Sequence, residues 1–246
     1  MSARPTHRRD PHAHWAQQYD FVYHTLYGDA LAEMTQATLS HIQAHTHPGD
    51  HLLDVGAGTG RLAIPLAHLG YQVTAVDPSA AMLTQLQQKA PSSITCLGDL
   101  TRHHPTTPYH LALLVFTTIS YITTGQALRN LLHQIAGRLQ PGGYLIVDQP
   151  SRHTFASATL TGENADGFVC RHISMQPVGR THFHYHEQTR GNQQSTPFAF
   201  QTALRMRYWS KHTLATYLAS AGFSIVDEAL SGHDASGAQY LLCQRT

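Results

Sequence analysis

The stretch Leu52–Gly60 reads L-L-D-V-G-A-G-T-G and decides the fold. A hydrophobic run ends in an acid, Asp54, and then in three glycines, Gly56, Gly58 and Gly60, spaced by single residues. Helical spacing follows in Arg61, Leu62, Ile64, Leu66, Ala67 and Leu69. Strand, glycine turn and helix in that order form the first nucleotide-binding unit of an open α/β sheet, at the carboxyl end of its first strand. Glycine lacks a Cβ, so a ligand can approach the backbone and φ can be positive.

The spacing separates two ligand classes. A dinucleotide fingerprint is G-x-G-x-x-G, its last glycine packing helix on strand. Gly56 and Gly58 fit, but Arg61 stands at the third fingerprint position and Gly60 falls one residue early. Asp54, two residues before the first glycine, would repel a pyrophosphate and attract a cation. The pattern therefore points to a positively charged nucleoside, with an NAD-dependent oxidoreductase and a noncatalytic nucleoside-binding protein as the rival classes.

Outward from this stretch the alternation continues. Strands are expected at 51–55, 72–76, 93–97, 110–116 and 144–148, with helices at 59–69, 79–89 (Ser79 as cap) and 125–139 between them. The apolar run 110–116 suits a central parallel strand buried on both faces, and the rhythm as a whole predicts a doubly wound parallel sheet. Upstream, residues 1 to about 14 read as polar and mobile, and 15–45 as two helices. After Pro150 the rhythm changes. Three extended segments, 168–176, 181–190 and 198–209, have no helix between them and should pair antiparallel. A helix over 211–221, capped by Ser210, and strands over 223–228 and 239–244 close the chain. The expected organisation is 1–50 tail and lid helices, 51–150 cofactor core, 151–209 antiparallel insertion, and 210–246 completing the core.

Composition narrows the rest. The chain has 246 residues, formal charge +1, 13% charged and 41% hydrophobic residues. That fits a folded globular protein with no bulk attraction to nucleic acid. No apolar stretch approaches the roughly 20 residues that span a bilayer, and M-S-A-R-P-T-H-R-R-D lacks the apolar part of a secretory signal. Cys96, Cys170 and Cys243 form no metal or redox motif, which suits reduced thiols in a cytoplasm. The 20 histidines, set against two lysines, read mostly as surface composition. Period two puts His182, His184 and His186 on one strand face, about 7 Å apart at alternate positions. That is too far for the three to close on one ion, so no metal is expected; the three read first as a polar lid face, with His184 kept as a candidate acceptor contact.

D-V-G-A-G-T-G resembles the first motif of class I S-adenosylmethionine-dependent methyltransferases. Leu139–Asp148 and the tail from Met206 to Val226 are similar to the family's fifth-strand hairpin and to the segment that re-enters its core after a lid. The resemblance covers roughly Tyr19 to the C-terminus and is strongest over 51–148. It implies a seven-stranded Rossmann-like sheet, a small antiparallel lid after the fifth strand, and S-adenosylmethionine as cofactor with S-adenosylhomocysteine as product. It also implies that Asp54, Gly56, Gly58 and Gly60 wrap the methionine part. Asp77, at the end of the second strand, offers two oxygens in one plane to a ribose diol; its alternative is a helix-capping acid beside Pro78. By the same resemblance Asp99 receives the adenine amino group and Leu100 stacks on the ring. Met82 either packs on adenine or belongs to the core, and Phe116 and Thr117 border the cofactor.

The loop Val115–Ile122 lacks the Asn-Pro-Pro-Tyr and Asp-Pro-Pro-Tyr signatures of enzymes that methylate bases or protein glutamine. Gln18-Tyr19-Asp20 resembles the entry of glycine N-methyltransferase-like enzymes and amino-sugar N,N-dimethyltransferases. Tyr19 and Tyr121 are the candidate catalytic residues, and Tyr23 and Tyr27 candidate acceptor contacts. Amino-sugar enzymes carry a histidine where Tyr121 stands, so their acid–base scheme does not transfer. The family often has an acid where this chain has His110, which puts one local bond in doubt. The expected activity is methyl transfer to a small molecule, at nitrogen in preference to oxygen. Neither nucleic acid nor a membrane is expected as partner, and the oligomeric state is left open, a homodimer among the options.

Overall fold

The computed structural model describes residues 10–246. The expectation of a mobile tail over 1–9 lies outside the described residues, and 10–14 is not free: it forms a turn against the body.

Eleven strands form two sheets. Five parallel strands, β1 (His51–Val55), β2 (Gln72–Val76), β3 (Thr95–Leu97), β4 (Tyr109–Leu114) and β5 (Leu139–Pro150), are extended by β11 (Ala238–Arg245), which runs antiparallel to β5 and pairs with β10 (Phe223–Asp227). The order β10-β11-β5-β4-β1-β2-β3 reverses between β1 and β4. Ligands of open α/β sheets sit beyond the strand carboxyl ends at that reversal. Helices α2 (Ala63–His68), α3 (Ala80–Lys89), α4 (Gly125–Ala136) and α5 (Lys211–Ser220) connect the strands. Ser79, Thr124 and Ser210 cap α3, α4 and α5 by accepting from Met82 N, Ala127 N and Thr213 N. Such caps satisfy orphan amide donors and contribute about 1 kcal/mol each. Leu53, Ala112, Leu114 and Leu145 face one core, and Leu52, Leu111, Leu113 and Ile146 the other, all fully buried. The sheet is thus covered on both sides, which explains its near-continuous apolar strands.

The boundaries shift where backbone geometry overrides propensity. The helix expected from 59 begins only at Ala63, because Gly60 holds φ 96°. The strand expected to reach 116 stops at Leu114, because Phe116 and Thr117 take φ 60° and 63° and turn the chain. Pro141–Gly143 is not a turn ahead of β5 but an irregularity within it, marked by a register shift against β4. The two N-terminal helices are the halves of α1 (Tyr19–Gln43), kinked at Gly28. His110 makes the local bond that was in doubt: its Nδ1 accepts from His51 N at 3.1 Å and its Nε2 lies 3.2 Å from Asp50 Oδ1.

The second sheet has four antiparallel strands, β6 (Ala158–Asn164), β7 (Gly167–Val178), β8 (His182–Gln193) and β9 (Thr196–Arg207). The sequence reading missed β6, whose T-L-T-G-E run has weak hydrophobic alternation. Along β8 residues 183, 185, 187, 189 and 191 are buried and 184, 186, 188 and 190 exposed. The buried face lies over α1. A Cβ at Gly162 would stand 2.2 Å from Thr25 O, so glycine there lets the strand touch the helix backbone. Trp209 fastens the end of the lid by donating Nε1–H to Ile119 O and Ile122 O.

Candidate active site

A cavity of about 370 Å³ opens at the carboxyl ends of β1 and β4. Its wall includes Asp54, Gly56, Gly58 and Gly60 from the glycine turn, Arg61, Phe116 from the turn after β4, and Tyr19 and Tyr23 from α1. The glycines serve different ends. A Cβ at Gly56 would lie 2.4 Å from Thr118 Cγ2, so this glycine lets the two strand-end turns meet. Gly58 has φ 55° and nothing within 4 Å of its would-be Cβ; it is the one that leaves backbone open to a ligand.

Two carboxylates stand behind this turn. Asp54 is buried, and burial raises its pKa to about 7 against the opposing pull of the Arg61 cation. A buried carboxyl on a cavity wall favours a cationic ligand, which would restore its charged form. Asp77 accepts from Gly58 N at 2.9 Å through Oδ2 and from Ser79 N at 2.8 Å through Oδ1. It therefore both fixes the glycine turn and caps the approach to α3, and each oxygen keeps a second lone pair. Burial pushes its pKa upward too. The open glycine backbone and the paired acids fit a nucleoside that carries positive charge.

The turn after β4 is strained, with two successive non-glycine residues in the left-handed region. Such backbone costs about 1–3 kcal/mol per residue and persists only where its surroundings hold it. Asp148, at the end of β5, does so by accepting Thr117 N at 2.6 Å. Its other oxygen is buried without a partner among the described residues, and burial raises its pKa to about 7. The turn presents Phe116 to the cavity, under the Arg61 guanidinium at 4.5 Å.

The remaining cofactor expectations meet the structure unevenly. Thr117 stands behind Phe116 and contributes its backbone. Met82 and Leu100 are 2% and 4% exposed and pack among apolar side chains, off the cavity wall. For Met82 this favours the core alternative; the Leu100 side chain joins Val76 and Leu53 in the core. Asp99 lies on the surface, its carboxylate held by Thr101, whose N–H and hydroxyl lower its pKa. His184 sits on the exposed face of β8 beside His186 and is not on the cavity wall. Among the described residues no group of three His, Cys, Asp or Glu could hold a metal ion.

At its other end the cavity meets an aromatic column. Phe200, Trp15, Tyr19, Tyr23 and Tyr27 follow one another at centroid separations of 4.5, 5.1, 4.5 and 5.5 Å. The spacing 19, 23, 27 is one residue per helical turn on one face of α1. Tyr121, in the short helix Thr118–Tyr121, reaches the same region from the β4 side and packs with Phe183 and Tyr185 of the lid. Burial raises the pKa of Tyr19, Tyr27 and Tyr121, so all three hydroxyls hold their protons at neutral pH.

Three functional groups escaped the sequence reading. Arg171 of β7 and Glu187 of β8 form a buried ion pair on the inner lid face, with Nε 2.8 Å from Oε1 and Nη2 donating to Oε2 at 3.1 Å. Tyr185 and Thr189 add hydroxyl donors to Glu187 at 2.5 and 2.7 Å, and Arg171 lies over the Tyr23 ring at 5.0 Å. The signal was legible: period two puts Glu187 on the same strand face as Phe183 and Tyr185, and a buried acid requires a partner. The third group is His12, whose ring packs against Trp15, Tyr19 and Tyr121. Nothing local marks it among so many histidines. Asp20, next to Tyr19, accepts from Thr59 of the glycine turn and pairs with Lys89 of α3, which draws α1 over the cavity.

Residues 52–143 match the family model described as a methyltransferase domain. The demethylmenaquinone methyltransferase of Beutenbergia cavernae is 30% identical over 147 residues, 57% of each chain. The dTDP-3-amino-3,4,6-trideoxy-alpha-D-glucopyranose N,N-dimethyltransferase of Streptomyces venezuelae is 24% identical over 133 residues, 54% of this chain and 56% of that one. The chain thus matches little more than half the length of these two relatives. The S-adenosylmethionine-bound structure of an amino pentose methyltransferase from Micromonospora echinaspora superposes with TM-score 0.73 at 18% identity, over 93% of this chain and 96% of that one. Strand order, glycine turn and domain match agree: residues 52–143 are similar to a methyltransferase domain, and the chain has the fold of the class I methyltransferases, whose methyl donor is S-adenosylmethionine.

Proposed function

We propose that this protein transfers a methyl group from S-adenosylmethionine to a nitrogen of a small-molecule acceptor. The observation that carries the reading is the continuity of the cavity. A glycine turn with Asp54 at one end shares its wall with Tyr19 and Tyr23 of α1 at the other, and Tyr19 continues the aromatic stack to Trp15. The preference for nitrogen draws on the amino-sugar dimethyltransferase among the relatives and on the amino pentose methyltransferase among the solved folds.

When bound, S-adenosylmethionine supplies a methyl carbon already activated by a positively charged sulfur. The chain's own residues have simpler tasks. Gly58 leaves its backbone open, Asp77 fixes that turn and offers spare lone pairs to a diol, and Asp54 favours a nearby cation. Phe116 and the tyrosines exclude water and hold the acceptor in line, and alignment is the larger part of catalysis for such a displacement. An acceptor that arrives as an ammonium must lose a proton before its nitrogen can attack, which calls for a base at the aromatic end.

Incubation with S-adenosylmethionine and a panel of amino sugars, amino acids and simple amines, read by mass spectrometry, should show a one-methyl gain on a nitrogen. Gain on carbon or oxygen alone would overturn the nitrogen assignment. No binding of S-adenosylhomocysteine by calorimetry would overturn the cofactor site itself.

A further inference from the structure

We propose that His12 is the proton acceptor for the attacking amine, delivered to the acceptor end of the cavity by a strap over residues 10–15. This rests on the methyl-transfer reading above and assigns its missing base.

The strap is tied at both sides of the site. The Asp10 carboxylate accepts from Ser79 Oγ at 2.6 Å, at the start of α3, and from His12 N at 3.0 Å. The Pro11 carbonyl accepts from Thr202 Oγ1 of β9, on the lid. Between these ties the imidazole packs against the aromatic end, with ring centroids 5.5 Å from Trp15, 6.1 Å from Tyr19, which lines the cavity, and 5.7 Å from Tyr121. Its Nδ1 is buried with no hydrogen-bond partner among the described residues. A buried nitrogen without a partner is costly, and an arriving N–H donor would satisfy it.

Several neighbouring groups keep their protons or are committed elsewhere. Tyr19, Tyr27 and Tyr121 keep their protons because burial raises their pKa. Glu187 is committed to Arg171, Tyr185 and Thr189. Asp54 and Asp20 stand at the glycine-turn end. The charged groups facing His12 are Asp10 and His14 on the strap, Arg171 on β7 and Glu187 on β8. Desolvation outweighs them all and lowers the imidazole pKa, so the ring is neutral at pH 7. Desolvation lowers the pKa of an acceptor ammonium as well, which narrows the gap between donor and base. In the step, one N–H bond of the acceptor ammonium breaks and its electron pair stays on nitrogen as the attacking lone pair of the neutral amine. The proton forms a new N–H bond on His12, and the imidazolium afterwards releases it to solvent.

The test compares wild type with His12→Gln, which keeps a polar planar group on the strap. On the best amine of the panel, His12→Gln should lose about 10²–10⁴ in kcat, with S-adenosylhomocysteine affinity within threefold of wild type. The pH profile separates chemistry from packing. Wild type should be flat through neutrality and fall only below the ordinary imidazole range, whereas the variant's rate should climb with pH across the neutral and alkaline range as the amine deprotonates unaided. An unchanged profile with retained kcat would overturn the proposal. A readout without turnover uses Trp15, since an imidazolium quenches a neighbouring indole. The ligand-free wild type should show an emission step below pH 6.5 that His12→Gln lacks; the same step in both proteins would count against the placement of the ring. If wild type binds S-adenosylhomocysteine yet methylates no nitrogen, the functional reading fails first and this proposal falls with it.

Discussion

The two ends of the cavity are built by opposite rules. At the glycine end, 51–77, one short stretch supplies nearly everything: β1, the turn, and Asp77 one strand away, held by backbone hydrogen bonds. At the aromatic end, contributions come from residues 12–27, 116–121, 171 and 185–189, and side chains hold one another. Backbone-built sites depend on local sequence and tolerate little change. Side-chain-built sites depend on distant partners and can be rebuilt in pairs. The glycine end therefore suits a constant ligand, and the aromatic end an acceptor that differs between relatives.

The largest expected effect tests the first half. Asp77→Ala removes both the diol acceptor and the anchor of Gly58, so S-adenosylhomocysteine binding should fall at least a hundredfold by calorimetry. Because the buried Ser79 amide and the half-buried Gly58 amide lose their acceptor, stability should also fall by about 1–3 kcal/mol, measurable by urea unfolding. Retained tight binding would break the comparison at its root.

Next in size is the lid pair. Glu187→Ala strands the Arg171 cation in a buried site, which costs about 3–5 kcal/mol. The double change Arg171→Met with Glu187→Leu should recover most of that stability. Failure of the double variant to recover would mean that the aromatic end is as intolerant of paired change as the glycine end.

A pH experiment sharpens the electrostatics of the glycine end. The Asp54 and Asp148 carboxyls titrate at about 7 when folded, against an ordinary 3.8. Between those values the unfolded chain is ionised at both positions while the fold prefers the proton, so ligand-free stability is lost as pH rises across that interval. A cationic ligand prefers ionised Asp54, so affinity for S-adenosylhomocysteine, with its ammonium group, should rise with pH up to about 7 and level off above it. Binding at pH 6 should release a proton, seen as buffer-dependent calorimetric heats, and Asp54→Asn should abolish that dependence. The smallest effect is expected outside the cavity altogether: His184→Ala should leave kcat and KM within about twofold of wild type, as surface changes usually do.

The legibility of the sequence follows the same division. Asp54, the glycines, Asp77 and the strand rhythm could be read because each depends on near neighbours: a strand period, a turn, a cap. Alternation groups His182, His184 and His186 on one face of β8 but does not say which face turns inward; the structure exposes His184 and His186. Leu100 carries an expectation from resemblance alone, and its side chain packs in the core. His12 had no local mark. Arg171 and Glu187 left only the faint one of charges in phase with apolar residues.

By itself the sequence determined the sheet, the glycine turn and the acid that follows, since backbone geometry and hydrophobic period are properties of short segments. Tertiary structure alone decided which tyrosines share a cavity, that Asp148 holds the strained turn, and that a histidine near the N-terminus lies against Tyr121. Those relations join residues up to about a hundred positions apart, and only the folded chain, burying one face of each element, brings them within reach of one another.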